Sequence, residues 1–270
     1  MNIAIYIGKK SSEKDDQVRR MLEKLCDGGC RLYHVSVRKE LLPDTDMLLS
    51  VGGDGTFLYA ASLVSDSGVP VVGVNLGRLG FLSENRPEDV AEAILSRDYT
   101  IENRTMLQTS SKCEMPEDLM FALNEATVHR NGPSMLGVEV KVDGVVLPTY
   151  WADGLVISTS SGSTAYSLSV GGPIVLPDAR VLIISPIAPH NLNVRPLVVP
   201  DSSKIELRMS SRDDQFVFSS DNRSMMLDSG SELLVSVAQF SLKRVRLNRS
   251  NFINALTQKL FWGEDVRNIK

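Results

Sequence analysis

The chain is short of the residues that most often announce a chemistry. It has only three cysteines, Cys26, Cys30 and Cys113, and three histidines, His34, His129 and His190. So few thiols make no disulfide framework. Cys26-Asp27-Gly28-Gly29-Cys30 also lacks the second ligand pair that a structural zinc site needs. No histidine stands beside a serine or cysteine in a nucleophile motif, which leaves a hydrolytic triad without support. No apolar run approaches the ~20 residues of a membrane-spanning helix. The net charge of −4 lacks the basic excess of a nucleic-acid binder. The sequence opens on a strand-like segment, residues 2–8, with no charged stretch followed by an apolar one. A cytoplasmic protein with reduced thiols is therefore expected, with no nucleic-acid partner and no membrane. No repeat of solenoid period and no low-complexity linker is present.

What is there begins with Asp46-Met47-Leu48-Leu49-Ser50-Val51-Gly52-Gly53-Asp54-Gly55-Thr56. An apolar run halts at two glycines, an acid, a third glycine and a threonine, and a helical pattern runs from Phe57 to about Val64. The pattern predicts a buried strand, a tight turn and a helix start, whose free N–H groups and dipole suit an anion. A carboxylate repels phosphate, so Asp54 must serve some other purpose. It could be a proton acceptor, a hydroxyl partner, a metal ligand or, most plainly, the N-cap of the helix.

Around this stretch the first hundred residues alternate between strand and helix. Strands are expected at 2–8, 31–37, 46–51 and 69–75. Helices are expected through Val18, Met21, Leu22 and Leu25, and after Pro87 through Val90, Ala91, Ile94 and Leu95. That alternation predicts a parallel sheet flanked by helices, with ligands beyond the carboxyl ends of its strands. From Thr100 the texture changes to short β-rich runs separated by turn residues, and Val142-Asp143-Gly144-Val145 reads as a hairpin. A final helix, capped by Ser250 and carrying Phe252, Ile253, Leu256, Leu260 and Phe261, is too short to stand alone in water. The expected architecture is an α/β domain at 1–99, an all-β domain at 100–249, and a C-terminal helix, 250–270, returning to the first.

One stretch of the β-rich half is polar where a strand should be apolar. Between Ser158 and Ser167 lie seven hydroxyl side chains around Tyr166, with the apolar strand 154–157 in front and Gly171-Gly172-Pro173 behind. Small hydroxyl residues beside one ring can hydrogen-bond ribose and amide groups and leave room for a flat base. A Ser/Thr-rich surface loop is the plainer alternative.

These residues together resemble the NAD kinase family. Gly52-Gly53-Asp54-Gly55-Thr56 is similar to its phosphate-binding motif, Asn75-Leu76-Gly77-Arg78-Leu79-Gly80-Phe81-Leu82 to its next loop, and Asn124-Glu125 to its Asn-acid pair. Asp153-Gly154 through Gly172-Pro173 is similar to its long signature, and residues 186–190 and 195–200 match a further segment. The glycine motif alone also fits lipid kinases; the Gly162–Pro173 stretch decides between them. Ser160 stands where the family usually has proline, Val170 where alanine is usual, and Asp221-Asn222-Arg223 where many members have Asp-Gly-Gln.

The resemblance implies that Asp54 takes the proton of the adenosine ribose 2′-hydroxyl as it attacks the terminal phosphate of ATP. Gly53 and Gly55 would let the nucleotide come close, and Phe81 would flank the adenine. Asn124, Glu125 and Asp153 would hydrogen-bond NAD, Asp153 across a subunit interface. Thr164, Ala165, Tyr166, Ser167 and Ser169 would line the NAD pocket, and Ala188 would touch NAD from a neighbouring chain. The resemblance further implies Mg²⁺ or another divalent cation held through the nucleotide phosphates, ATP or polyphosphate as donor, and a homodimer or homotetramer. Two competing readings are a lipid kinase, which would not need the hydroxyl-rich loop, and a dinucleotide-sensing protein with a degenerate site, against which Asp54 stands.

Overall fold

The computed structural model describes residues 1–77, 80–247 and 252–260. Arg78 and Leu79 of the second loop, the expected cap Ser250 and Phe261 lie outside the described residues. In chain order the elements begin β1 (Asn2–Ile7), α1 (Asp16–Asp27), β2 (Arg31–His34), β3 (Met47–Val51), α2 (Asp54–Val64), β4 (Val71–Val74), α3 (Pro87–Ser96) and β5 (Tyr99–Ser111). Next come β6 (Phe121–Ala122), β7 (Glu125–Arg130), β8 (Leu136–Val142), β9 (Val145–Val146), β10 (Tyr150–Ala152), β11 (Gly154–Thr159), α4 (Tyr166–Ser169), β12 (Val181–Ile187) and β13 (Leu197–Pro200). The chain continues through β14 (Ile205–Ser210), β15 (Gln215–Ser220), β16 (Arg223–Asp228), β17 (Glu232–Leu247) and α5 (Phe252–Leu260). It forms two compact units, one of residues 1–103 with the described residues from 243 onward, the other of residues 104–242. Strands β5 and β17 each run through both.

The first unit is a parallel sheet in the order β4-β3-β1-β2. The end of β17 adds to β4, also in parallel, with Arg244 beside Val71. Every residue of β3 and β4 is buried, as strands covered on both faces require. α1 presents Val18, Met21 and Leu25 to the core at helical spacing, and its N-cap Asp15 accepts from Gln17 N and Val18 N. α2 is apolar nearly all round and largely buried. α3 starts with Pro87 in its first turn, followed by Glu88 and Asp89. The core joins Ile3, Ile5, Met47, Leu49, Val72 and Val74 to α1, α3 and, from β17, Val245 and Leu247.

The second unit has two sets of strands that pair antiparallel. One six-stranded sheet runs β13-β12-β11-β7-β15-β16. A second set pairs β10-β8-β14-β17. A single core of inward residues fills the unit, including Leu136, Val138, Leu155, Ile157, Leu182, Phe216 and Phe218. No helix among the described residues is long and apolar enough to cross a membrane.

The fold class follows the expectation: an α/β N-terminal region with a parallel sheet and a large all-β region after it. Local differences have local causes. α2 begins at Asp54 rather than Phe57, because Gly53 with extended backbone takes the cap position; the Asp54 side chain is therefore not the N-cap. The run 31–37 is strand only to His34. The run 145–149 keeps only two strand residues, since Pro148 offers no N–H to the ladder. Asp143 and Gly144, at φ 51° and 82°, form the two-residue hairpin turn whose primed geometry requires positive φ at both places. The hydroxyl-rich stretch is ordered as a 3₁₀ turn, Ser161–Thr164, followed by α4.

Candidate active site

Neighbouring parallel strands send their loops off the same edge of a sheet. β3 and β4 pair through Val51 and Val74, so the glycine loop and the loop after β4 leave the first unit side by side. Polar bonds knit them together. Gly52 N donates to Val74 O at 2.8 Å, Ser83 Oγ to Gly52 O at 2.6 Å and Asn75 Nδ2 to Ser83 O at 3.0 Å. Asn85 Nδ2 donates to Gly73 O at 2.9 Å.

Asp54 is gripped by the second loop. Its Oδ2 accepts from Phe81 N at 2.8 Å, and its Oδ1 from Leu82 N at 3.1 Å and Ser83 N at 2.8 Å. A carboxylate offers about four lone-pair positions. Among the described residues Oδ1 is filled by two donors, whereas Oδ2 holds one and keeps a second position open. Because the negative group is turned onto main-chain donors, it does not block the N-terminus of α2. A Cβ added at Gly53 or Gly55 meets nothing within 4 Å, so that terminus has an open face. Gly80 is the opposite case: a Cβ there would lie 1.8 Å from Asp54 Oδ1. The half-buried Phe81 ring packs against Phe252 of α5 at 5.9 Å between centroids, tilted by 46°.

In the second unit, Asn124 precedes and Glu125 opens β7, and they are 6% and 8% exposed. They are held by a residue far along the chain. Asp221 accepts from Leu123 N at 2.9 Å, Asn124 N at 2.8 Å and Glu125 N at 3.2 Å, and its own N–H donates to Glu125 O at 2.9 Å. Asp221 is in left-handed backbone, φ 50°, which lets its side chain fold back over the turn. Burial raises the Asp221 carboxyl above the ordinary range, against the pull of these N–H groups and of Arg223 at 3.7 Å. Glu125 is pushed up to about 8, first by burial and then by the neighbouring Asp221 charge, while the Tyr166 N–H works the other way. Asn124 Oδ1 and Glu125 Oε2 are both buried without a hydrogen-bond partner. Orphaned atoms of this kind carry a desolvation cost of about 1–3 kcal/mol each, which a ligand's donors would offset.

The hydroxyl-rich turn is anchored on the same segment. Thr159 N donates to Asn124 O at 2.9 Å and Thr159 Oγ1 to Leu123 O at 2.6 Å. Tyr166, whose main chain reaches Glu125, is 38% exposed. Thr164 and Ala165 are half-buried and Ser169 is exposed. Ser167 departs from the lining role expected of it. It is fully buried, with its Oγ 3.4 Å from Ser185 Oγ, so its hydroxyl serves internal packing. Asp153 is ion-paired to Arg130 at 2.7 Å. Ala188, at the end of β12, is exposed and has φ 45°, a strained conformation for a residue with a side chain. The structure thus gathers Gly53, Asp54, Gly55 and Phe81 in the first unit. In the second it joins Asn124 and Glu125 to Tyr166, while Asp153 and Ala188 stand apart from that group in their bonding. Sequence reasoning missed Asp221 and Arg223: Asp221 stood only as the matching first residue of Asp-Gly-Gln, and Arg223 only as a departure from it.

Two family models cover most of the chain: ATP-NAD kinase N-terminal domain over residues 7–97 and ATP-NAD kinase C-terminal domain over residues 123–247. The NAD kinase of Bacteroides fragilis is 42% identical over 289 residues, covering 99% of this chain and 100% of that one. The NAD kinase of Flavobacterium psychrophilum is 46% identical over 239 residues, covering 86% and 81%. Among solved structures, yeast NADH kinase complexed with NADH matches with a TM-score of 0.87 and 26% identity, over 100% of this chain and 90% of that one. An NAD kinase from Archaeoglobus fulgidus in complex with ATP matches at 0.81 and 28%, over 97% and 99%.

Proposed function

The chain belongs to the NAD kinase family and transfers the terminal phosphoryl group of ATP to NAD, giving NADP; from that premise we propose that Asp54 is the general base of the transfer. The open lone pair on Oδ2 carries this reading. Three main-chain donors fix the carboxylate in place, and one position remains to accept the proton of the ribose 2′-hydroxyl. The hydroxyl oxygen bonds the terminal phosphorus as the bond from phosphorus to the leaving ADP breaks, and the proton passes to Oδ2. Most of the remaining acceleration in phosphoryl transfer comes from positioning and charge neutralisation.

The first unit is read as the donor domain. The open N-terminus of α2, bare at Gly53 and Gly55, suits donor phosphates, and Phe81 gives the adenine an apolar flank. The second unit is read as the NAD-binding domain. The orphaned Asn124 Oδ1 and Glu125 Oε2 are acceptors that ribose or amide groups would satisfy. With Glu125 pushed up to about 8, its carboxyl is largely protonated at neutral pH and can also donate. The exposed Tyr166 ring is read as a stacking platform, with Thr164, Ala165 and Ser169 beside it in the same turn as further pocket lining. Inorganic polyphosphate, a chain of the same phosphoanhydride bonds, is a second candidate donor.

A divalent cation fits this donor set only through the nucleotide. Asp54 keeps one open position, and Glu84 on the same loop is committed to Arg244. Held by phosphate oxygens, Mg²⁺ would offset the donor's negative charge. Asp153 and Ala188 are read as serving a neighbouring copy in a dimer or tetramer, which the exposed Trp151, Leu192 and Val198 support. Three free cysteines suit a cytoplasmic setting.

Purified protein incubated with NAD, ATP and Mg²⁺, then assayed with an NADP-specific dehydrogenase, tests the assignment. Asp54→Asn keeps one acceptor oxygen, enough for Leu82 N and Ser83 N, but sets an NH₂ group, which cannot accept, where Oδ2 receives Phe81 N and the proton. It should retain NAD affinity and lose about 10²–10⁴-fold in kcat. An Asp54→Asn enzyme with normal kcat would reduce Asp54 to a loop anchor.

A further inference from the structure

The C-terminal helix brings one cation to the Asp54 loop. α5 carries Lys259, whose ammonium donates to Gly80 O and lies 4.5 Å above the Phe81 ring. Gly80 and Phe81 are the residues that shape the grip on Asp54: Phe81 N binds Oδ2, and only a glycine fits beside Oδ1 at position 80. Among the described residues no carboxylate is ion-paired to the ammonium. Glu84, the acid nearest in sequence to that loop's grip, is bound to Arg244 instead.

We infer that Lys259 is a catalytic residue of the donor side, whose ammonium binds the terminal phosphate of the triphosphate and neutralises the charge that builds there during transfer. The inference rests on the placement of the donor beside Asp54 given above. An ammonium has three donors. One goes to the Gly80 carbonyl, which fixes the group, and two remain. A half-buried cation held by a carbonyl and a ring face, with no bonded counter-charge, is desolvated without being neutralised. An arriving phosphate oxygen supplies what is missing. The same cation bears on an electrostatic problem at Asp54, whose charge it feels. A base carboxylate next to a triphosphate is repelled by it, and a cation near both offsets that repulsion. Lysine cradling the transferred phosphate is a recurring solution in phosphoryl transfer. Here the chain delivers it from a helix some two hundred residues after the glycine loop.

The surroundings set the pH behaviour. Burial lowers the Lys259 pKa and the Arg244 charge adds to that, while Glu84 and Asp54 oppose it. The ammonium's contacts among the described residues, Gly80 O and the Phe81 ring, do not titrate. Activity should therefore have an alkaline limb as the ammonium loses its proton.

Lys259→Gln and Lys259→Arg separate a phosphate ligand from a mere clamp between α5 and the loop. Gln keeps an N–H donor for the Gly80 carbonyl but no charge; Arg keeps the charge. The expected result for Lys259→Gln is a kcat about 10²-fold lower, the usual effect of removing one preorganised charge-stabilising donor. The KM for ATP should rise, with the KM for NAD and the thermal midpoint unchanged. Lys259→Arg should recover at least tenfold of that loss and show no alkaline limb. A Lys259→Gln enzyme with normal kcat and KM for ATP overturns the proposal. So does a loss matched by equal unfolding and not recovered by Arg. Assaying Asp54→Asn in parallel keeps the two ideas apart: an inactive Asp54→Asn beside a normal Lys259→Gln sinks only the lysine, while an active Asp54→Asn sinks the reading beneath it.

Discussion

A single methyl group at position 80 should disable the enzyme without replacing a functional side chain. In Gly80→Ala the new Cβ would lie 1.8 Å from Asp54 Oδ1. Ordinary contacts between heavy atoms begin near 3.5 Å, so the carboxylate or the loop must retreat by on the order of 1.5 Å. The bonds to Asp54 are 2.8, 3.1 and 2.8 Å long, and hydrogen bonds are weak beyond about 3.2 Å. The two bonds to Oδ1 therefore break. Bonds to a charged acceptor are worth about 1.5–3 kcal/mol each, so the positioning of Asp54 loses about 3–6 kcal/mol. At about 1.4 kcal/mol per factor of ten, kcat should fall by at least about 10²-fold, the scale also expected for a misplacement of about 1 Å. Steady-state kinetics with saturating NAD and ATP reads the effect, and dinucleotide titration should find NAD affinity unchanged. Gly55→Ala is the control, because its Cβ meets nothing within 4 Å. Its thermal midpoint should match the wild type, and any kinetic effect should fall on the donor. A Gly80→Ala enzyme with wild-type kcat would refute the claim that this grip holds the base.

Two further predictions concern the second unit. Glu125 stays protonated in the fold up to about 8, whereas its ordinary value is 4.5. Between those values unfolding releases a proton, so this group's contribution to stability is complete below about pH 4.5 and is lost as pH rises toward 8. Urea unfolding at pH 5 and pH 8 should find a smaller drop in Glu125→Gln than in the wild type; equal drops would mean that Glu125 does not titrate in this window. Asp221→Ala strands the N–H groups of Leu123, Asn124 and Glu125 in a buried site. It should cost on the order of 3 kcal/mol in denaturant unfolding and raise the KM for NAD, with Asp221→Asn recovering part of both. An unchanged KM would detach Asp221 from the dinucleotide site.

How much of this was legible depends on the range of each interaction. β3, the glycine turn and α2 are written in contiguous residues, and so is the Asp143-Gly144 hairpin, because local φ requirements and burial periodicity leave local marks. The NAD kinase resemblance rested on the same kind of contiguous motif. Hydrogen bonds across 27–29 residues to Asp54, or 96–98 residues to Asp221, leave none. Nothing about the sequence around Asp221 says that its carboxylate returns to β7. Ser167 is the reverse case: its neighbours form a polar loop, so its type pointed outward, but the α4 turn rotates it against Ser185. Lys259 sits in an amphipathic helix where a lysine usually marks the solvent face, and only the docked helix reveals its partner.

The first unit is not built from one continuous length of chain. Its sheet is extended by β17, its core takes in Val245 and Leu247, and Lys259 reaches its loop, all from beyond residue 242. On a ribosome adding about 5–20 residues per second, the intervening residues 104–242 must all be made first. For roughly ten seconds the nascent first unit therefore has β4, a wholly apolar and normally buried strand, without its β17 neighbour and bridged only at Val74 by Asn85, and such an edge recruits other chains. The second unit, contiguous and complete earlier, can fold during that interval. Catalytic competence then arrives as the last folding event, and chain termination after about residue 242 should yield an aggregation-prone protein rather than a slow enzyme.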